Sequence, residues 1–422
     1  MKAIIPFLLL IIMFNRADAE EIIKKGELLN LERCIEIALK KQPNIIAAAY
    51  TVMANQSKVG EAKANYFPQI DWTSGYSRLS PVSDTAASRS FDQYSSNVTL
   101  RQNIFDFGKT TSQVQIQSLN LNSSRSDFEN VSGQAILNVK QAYYGILKAK
   151  RDRDVAEEAG TQFQQHLEQA KGFYEAGIKP KIDMTKAEVD VSNSKLNLIK
   201  AENALRIAFA TLNNAMGVPD APEYIIEDNL YFQKYRITFE EAIERAYKNR
   251  PDLASILFKK QASESSINLA KTGYYPFLTG NAAYNWSGEK FPLGEGWSAG
   301  VTFSFPLFSG FLTKHQVEES KANLNVMNAN EELLRQNIFL EVQQAFLNLK
   351  DAEERIPAAD LVVKQAEENL ELATGRYTAG VGNPIEVTDA QVGLSNAKTS
   401  YIQALYDYKV SLAIIEKATG VK

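Results

Sequence analysis

The chain has 422 residues, 45% of them hydrophobic, with 46 Lys+Arg against 50 Asp+Glu and a formal net charge of −4. That balance excludes a nucleic-acid partner held by excess positive charge. One cysteine excludes an internal disulfide, and two histidines give little material for a metal centre.

Residues 1–19 read as a signal peptide. Lys2 is a minimal positive start, Ala3 to Phe14 is apolar, and Ala17-Asp18-Ala19 fits a small-x-small cleavage site. The run is short and holds Pro6, which argues against a permanent membrane helix. Without Lys2, Arg16 and Asp18 the mature chain has 44 basic and 49 acidic residues, a net charge of −5. No other stretch is long and apolar enough for a spanning helix. An exported chain of this kind is either soluble or crosses a membrane as a β-barrel.

The remainder is written twice. Tyr66-Phe67-Pro68 returns as Tyr274-Tyr275-Pro276, 208 positions on, and Pro43-Asn44 returns as Pro251-Asp252. Further along the offset is 203: Tyr174-Glu175-Ala176-Gly177 becomes Tyr377-Thr378-Ala379-Gly380, and Met216-Gly217 becomes Thr419-Gly420. The period is far longer than a solenoid unit. The expected copies are 20–217 and 239–420, with a linker over 218–238.

Each copy opens with a short helix. Asn30 and Thr238 stand at N-cap positions, and Thr238 with Glu241 forms a capping box. Cys34 falls within the first of these helices; its counterpart is Ala242, which reads as a small packed residue. Pro43 and Pro251 interrupt the helices, and a second helix runs to Tyr66 or Tyr274. The period then changes from 3.6 to 2. Strands are expected over about 68–80 and 92–105, and again over 276–287 and 296–306. Ile70, Trp72 and Tyr76 alternate with Asp71 and Thr73, while Trp297, Ala299, Val301 and Phe303 alternate with Ser298, Gly300 and Thr302. Such hairpins suit both a small sheet on a soluble core and part of a membrane barrel. Four strands cannot close a barrel, since the smallest have about eight. If the strands face lipid, several copies must share one barrel.

Long helical stretches follow. Phe105 to Ala176 has no strong breaker, and at about 1.5 Å per residue it makes a rod of roughly 100 Å. The equivalent stretch holds Pro357, which is expected to kink the helix or break one turn. Tip turns are expected near 177–182 and 380–384. The return helices carry seams of alternating large and small residues: Val191, Ser194, Leu198 and Ala201 onward, and Leu394, Ala397, Tyr401 and Ala404 onward. Spacing of 3 and 4 predicts coiled-coil packing.

The order helix, strand, strand, long helix, turn, return helix, performed twice, resembles the TolC-type outer-membrane efflux proteins (outer membrane factors). The resemblance is carried by Leu31–Pro43 with Phe239–Pro251, the helix-to-strand junctions at Pro68 and Pro276, Asn103-Ile104-Phe105-Asp106 with Pro306-Leu307-Phe308-Ser309, and the turns at Gly177 and Gly380. It implies a mainly α fold with a β-barrel part. In a homotrimer, four strands per chain would make one 12-stranded barrel, continuous with a helical coiled-coil barrel. It implies the outer membrane of a Gram-negative bacterium, outer-membrane lipid around the strands, and a periplasmic extension. It also implies a periplasmic adaptor (membrane fusion) protein and an inner-membrane pump of an efflux or type I secretion system.

Carried over by motif, adaptor docking falls on Ala176, Gly177 and Ile178 in the first tip and on Ala379, Gly380 and Val381 in the second. The plainer reading of those glycines is a helix terminator. Gate residues match Glu386 and Asp389, three apart and on one helix face. Six carboxylates around one axis would favour cations and could make closure pH-dependent. Glu386, Asn383 and Pro384 also suit an ordinary helix start. The closing network's aspartate and tyrosine match Asp183 and Tyr377; its arginine is replaced by Gly382, which implies a looser entrance.

Two other classes compete. A periplasmic coiled-coil adaptor or scaffold would share the helical hairpins, but would lack paired amphipathic strands in each half. An exported enzyme would need a convergent set of roles. No phosphate loop or metal spacing is present, and His166 and His315 read as surface helix residues, so no catalytic residue, cofactor or metal is expected.

Overall fold

The computed structural model describes residues 23–80 and 90–421. The expected signal peptide and most of the loop between the first two long strands lie outside the described residues. The chain forms two compact units. One comprises residues up to Gln42, Asn138–Gln233 and Glu354–Val410, and holds both helical tips. The other comprises Pro43–Leu137, Lys234–Glu353 and Ser411–Lys422, and holds the main sheet.

In the tip unit, β1 (Leu28–Leu29) precedes α1 (Leu31–Lys41). Asn30 caps α1, its side-chain oxygen accepting from Arg33 N–H at 2.8 Å. The helix buries Cys34, Ile37 and Ala38, and burial pushes the Cys34 thiol up to about 12. It is a packed, unreactive group. β1 pairs in parallel with β4 (Ile225–Ile226), so the expected linker contributes a strand. Two residues carry no readable period, which is why the pattern of alternation misses them. α4 (Lys181–Met216) ends at Gly217, whose φ is 75° and whose Cβ position lies 2.7 Å from the Lys41 carbonyl oxygen. Only glycine fits that close, left-handed approach.

In the sheet unit, α2 (Pro43–Ala64) leads to β2 (Gln69–Leu79) and β3 (Phe91–Phe105). The second copy repeats this as α5 (Phe239–Asn249), α6 (Pro251–Lys271), β5 (Phe277–Gly288) and β6 (Gly294–Ser304). Thr238 and Glu241 form the full capping box at α5. α2 stops two residues short of Tyr66, because Tyr66 and Phe67 close onto Lys63 and Ala64 through tighter i→i−3 bonds. β6 stops at Ser304, ahead of Pro306, which has no N–H for a ladder.

The strands form one antiparallel sheet in the order β2-β3-β5-β6. Register sorts the side chains. Ile70 faces Leu100, Trp72 faces Val98, Val98 faces Tyr284, and Tyr284 faces Trp297. Leu278 and Phe303 pair on the same side. The opposite side carries Asp71, Thr73, Asn97, Thr99, Arg101, Asn281, Asn285, Ser298 and Thr302. Opposed residues share a face, so one face is mainly apolar and aromatic and the other mainly hydroxyl and amide, with Leu79, Phe91 and Phe277 at its ends. Among the described residues nothing covers the apolar face: Trp72 is 72% exposed and Trp297 is 76% exposed. Among the described residues no strand pairs with the outer edge of β2 or β6.

The long helices are α3 (Lys109–Glu175) and α7 (Leu312–Thr378), each of 67 residues. α7 runs unbroken through Pro357, so of the expected kink or one-turn break the break does not occur. Proline removes one N–H, and the flanking turns carry the helix past it. The last helix is α8 (Pro384–Ala418). Its seam is buried at Leu394, Ala397, Ala404 and Tyr408 in the tip unit and at Ser411, Ile415 and Ala418 in the sheet unit.

Candidate functional site

Both helical tips close by the same backbone device. After α3, Ile178 N–H bonds the Phe173 carbonyl at 2.9 Å and Gly177 N–H bonds that of Tyr174 at 2.9 Å. After α7, Val381 N–H bonds the Arg376 carbonyl at 3.1 Å and Gly380 N–H bonds that of Tyr377 at 3.0 Å. These are Schellman closures, with Gly177 at φ 72° and Gly380 at φ 80°. Open space surrounds both glycines. They are needed for their dihedral, not for room. Ala176 and Ala379 are exposed beside them, Ile178 is 63% exposed and Val381 is 72% exposed. Each turn therefore presents small residues and one bare aliphatic side chain.

α8 starts at Pro384, where Asn383 Oδ1 accepts from Ile385 N–H at 3.0 Å. Glu386 lies in its first turn and receives Arg376 Nε at 3.3 Å; Asp389 follows on the same face, exposed. Tyr377 is fully buried, packed with Ala373, Val387 and Ala390 and edge-on to Phe173 at 5.6 Å. Among the described residues its hydroxyl has no hydrogen-bond partner, and burial, then the Asp183 charge, push its pKa up. Asp183 is half-buried in the first turn of α4. The two expected network residues are thus neighbours in the electrostatic sense, without a hydrogen bond between them.

His166 departs from expectation. It is 5% exposed, not a surface residue, and its ring lies 5.0 Å from that of Tyr377. Desolvation outweighs the opposing pull of Asp190 and Asp183 and lowers its pKa. Its partner, Tyr377, lies over 200 positions away in the other copy, so no local period could show the burial. His315 is exposed and contacts Glu318 at 3.0 Å. Sequence reasoning also missed the ties between the two hairpins. Thr388 Oγ1 donates to Asp190 Oδ2 at 3.0 Å, Gln169 Nε2 donates to Thr378 Oγ1 at 3.1 Å, and Lys398 reaches Glu158 at 2.8 Å. Gly382 is buried, and its Cβ position lies 2.7 Å from Tyr377 N. No side chain fits there without moving the turn.

An amphipathic sheet with bare edges, joined in one chain to paired long helical hairpins, defines a channel-forming membrane protein. The outer membrane efflux protein family matches residues 34–218 and 242–421. The chain belongs to that family. It is an outer-membrane protein, with the family and fold of a channel and not of an enzyme. Outer membrane protein TolC of Vibrio cholerae is 23% identical over 406 residues, spanning 93% of this chain and 90% of that protein. TolC of Escherichia coli is 23% identical over 415 residues, spanning 93% and 82%. The crystal structure of CusC, described in connection with transmembrane channel formation, superposes with a TM-score of 0.84 at 16% identity, covering 94% of both chains.

Proposed function

We propose that three copies of this chain close one twelve-stranded barrel and form the exit duct of a tripartite efflux or type I secretion system. One observation carries the reading: the register of the four-stranded sheet turns Ile70, Trp72, Val98, Leu100, Tyr284, Trp297, Val301 and Phe303 to one side and, among the described residues, leaves both edges bare. In lipid, an open edge is not tolerated, so neighbours must supply the missing pairs. The hydroxyl and amide face then lines the lumen. Cargo passes without chemistry, driven by an inner-membrane pump through a periplasmic adaptor.

Washing membranes with alkaline carbonate tests this against a peripheral scaffold. The protein is expected to stay in the pellet and to run as a trimer after mild detergent extraction. Release as a monomer would remove the duct.

The tips at Ala176, Gly177 and Ile178 and at Ala379, Gly380 and Val381 dock the adaptor. Glu386 and Asp389 form an acidic ring at the entrance, and Asp183 and Tyr377 belong to the closing network. Gly380→Pro deletes the N–H that closes the second tip and forbids its positive φ. Cross-linking to the adaptor is expected to be lost while the trimer band persists. Undiminished cross-linking would exclude the second tip from docking.

A further inference from the structure

We infer that Arg376 sets the ion preference of the entrance by standing as counter-charge to Glu386, leaving Asp389 as the acid that draws cations. This rests on the reading of Glu386 and Asp389 as an entrance ring.

The turn itself dictates where a cation can stand. At position 382 a Cβ would meet Tyr377 N at 2.7 Å and the Arg376 carbonyl carbon at 2.9 Å, so a side chain is excluded. The Arg376 carbonyl oxygen accepts from both Val381 N–H, at 3.1 Å, and Gly382 N–H, at 2.9 Å. Those bonds pin the Arg376 backbone beneath the turn. Its side chain leaves the last turn of α7 and reaches the first turn of α8, where Nε meets Glu386 Oε2 at 3.3 Å. Lys179 does not take this place, because its ammonium lies over the Tyr377 ring at 5.7 Å. Asp389, one turn along, has no cation against it among the described residues.

The pair is exposed and contributes little to stability. Its weight is in the field at a constriction, where charges of one sign from three chains add. The barrel does not compete for this role. Along the paired strands its polar face carries Asp71 and Arg101, which cancel, among otherwise uncharged side chains. Selectivity therefore falls to the helical entrance, and there to the balance of Arg376 against Glu386 and Asp389.

Reversal potentials of the full-length trimer in planar bilayers, under a potassium chloride gradient, test this. Arg376→Gln is expected to raise the cation-to-anion permeability ratio about twofold or more, since one positive charge per chain is lost. Arg376→Lys should leave the ratio near wild type, and Asp389→Asn should lower it. An unchanged ratio in Arg376→Gln, with a lowered one in Asp389→Asn, overturns the role of Arg376 and keeps the ring. A shift in Arg376→Lys equal to that in Arg376→Gln also overturns it, because charge would not be the cause. If Glu386→Gln with Asp389→Asn leaves the ratio unchanged, the ring reading fails and this inference falls with it.

Discussion

Val301→Arg should prevent stable membrane residence. Val301 lies on the apolar face of β6, directly opposite Gly280, and is 64% exposed in the isolated chain. An arginine on a lipid-facing strand position costs about 2–4 kcal/mol near the bilayer midplane. In the proposed ring, three copies multiply the penalty. Its neighbour Thr302 points to the opposite face and pairs with Thr279. Thr302→Arg is therefore expected to be tolerated for insertion. The assay is the fraction of heat-resistant trimer in carbonate-washed membranes. Equal recovery of the two variants would reverse or abolish the assignment of faces.

Arg250→Ala should give the largest loss of stability in the sheet unit. The guanidinium is buried and bonds both Asp252 oxygens, at 3.0 and 2.7 Å, and Glu341 at 2.7 Å. It also bonds the Ala418 carbonyl at 3.3 Å, so it caps the end of α8. Lys417 adds a second contact to Glu341 at 3.0 Å. Removing one member of such a set leaves buried charge uncompensated and costs about 3–5 kcal/mol. Burial alone would raise the Asp252 and Glu341 carboxyls, but Arg250, with Lys417 assisting, holds both below their ordinary values. Depressed folded values place this stabilisation above about pH 4, the unfolded range, with loss as pH falls through the folded values. Thermal melts should show a wide gap between wild type and Arg250→Ala at pH 7 and a narrower gap in acid. An equal gap at both pH values would remove the carboxylates from the account.

Much of this architecture was readable because its signals are local. Asn30 and Thr238 announce helix starts within three residues, and Gly177 and Gly380 announce helix ends. The period of two in Leu278 to Trp286 and in Trp297 to Phe303 exposes a strand face without any knowledge of partners. What was hidden depends on distant partners. The Arg250 cluster joins α6 to α7 and to the end of α8, and its equivalent in the first copy is a neutral amide. There Gln42 Nε2 donates to the carbonyls of Asn214 and Ala215, both at 3.4 Å. A repeat search aligns the two positions but cannot say that one is ionic and buried. The same holds at the tips. Motif comparison marks Gly382 as a missing arginine; only the turn geometry shows why a side chain is excluded there and that Arg376, ahead of the turn, pairs with Glu386.

The joint between β3 and β5 has a consequence for assembly. These strands belong to different copies of the repeat, yet they pair from Tyr94 with Gly288 to Phe105 with Leu278. In the proposed ring, β6 of one subunit meets β2 of the next, which is again a second strand against a first. Seams made within one chain thus alternate with seams between chains around a circle of quasi-equivalent hairpins. Tandem copying halves the number of intermolecular seams required for closure, and each subunit carries within itself a rehearsal of the bond it must make to a neighbour.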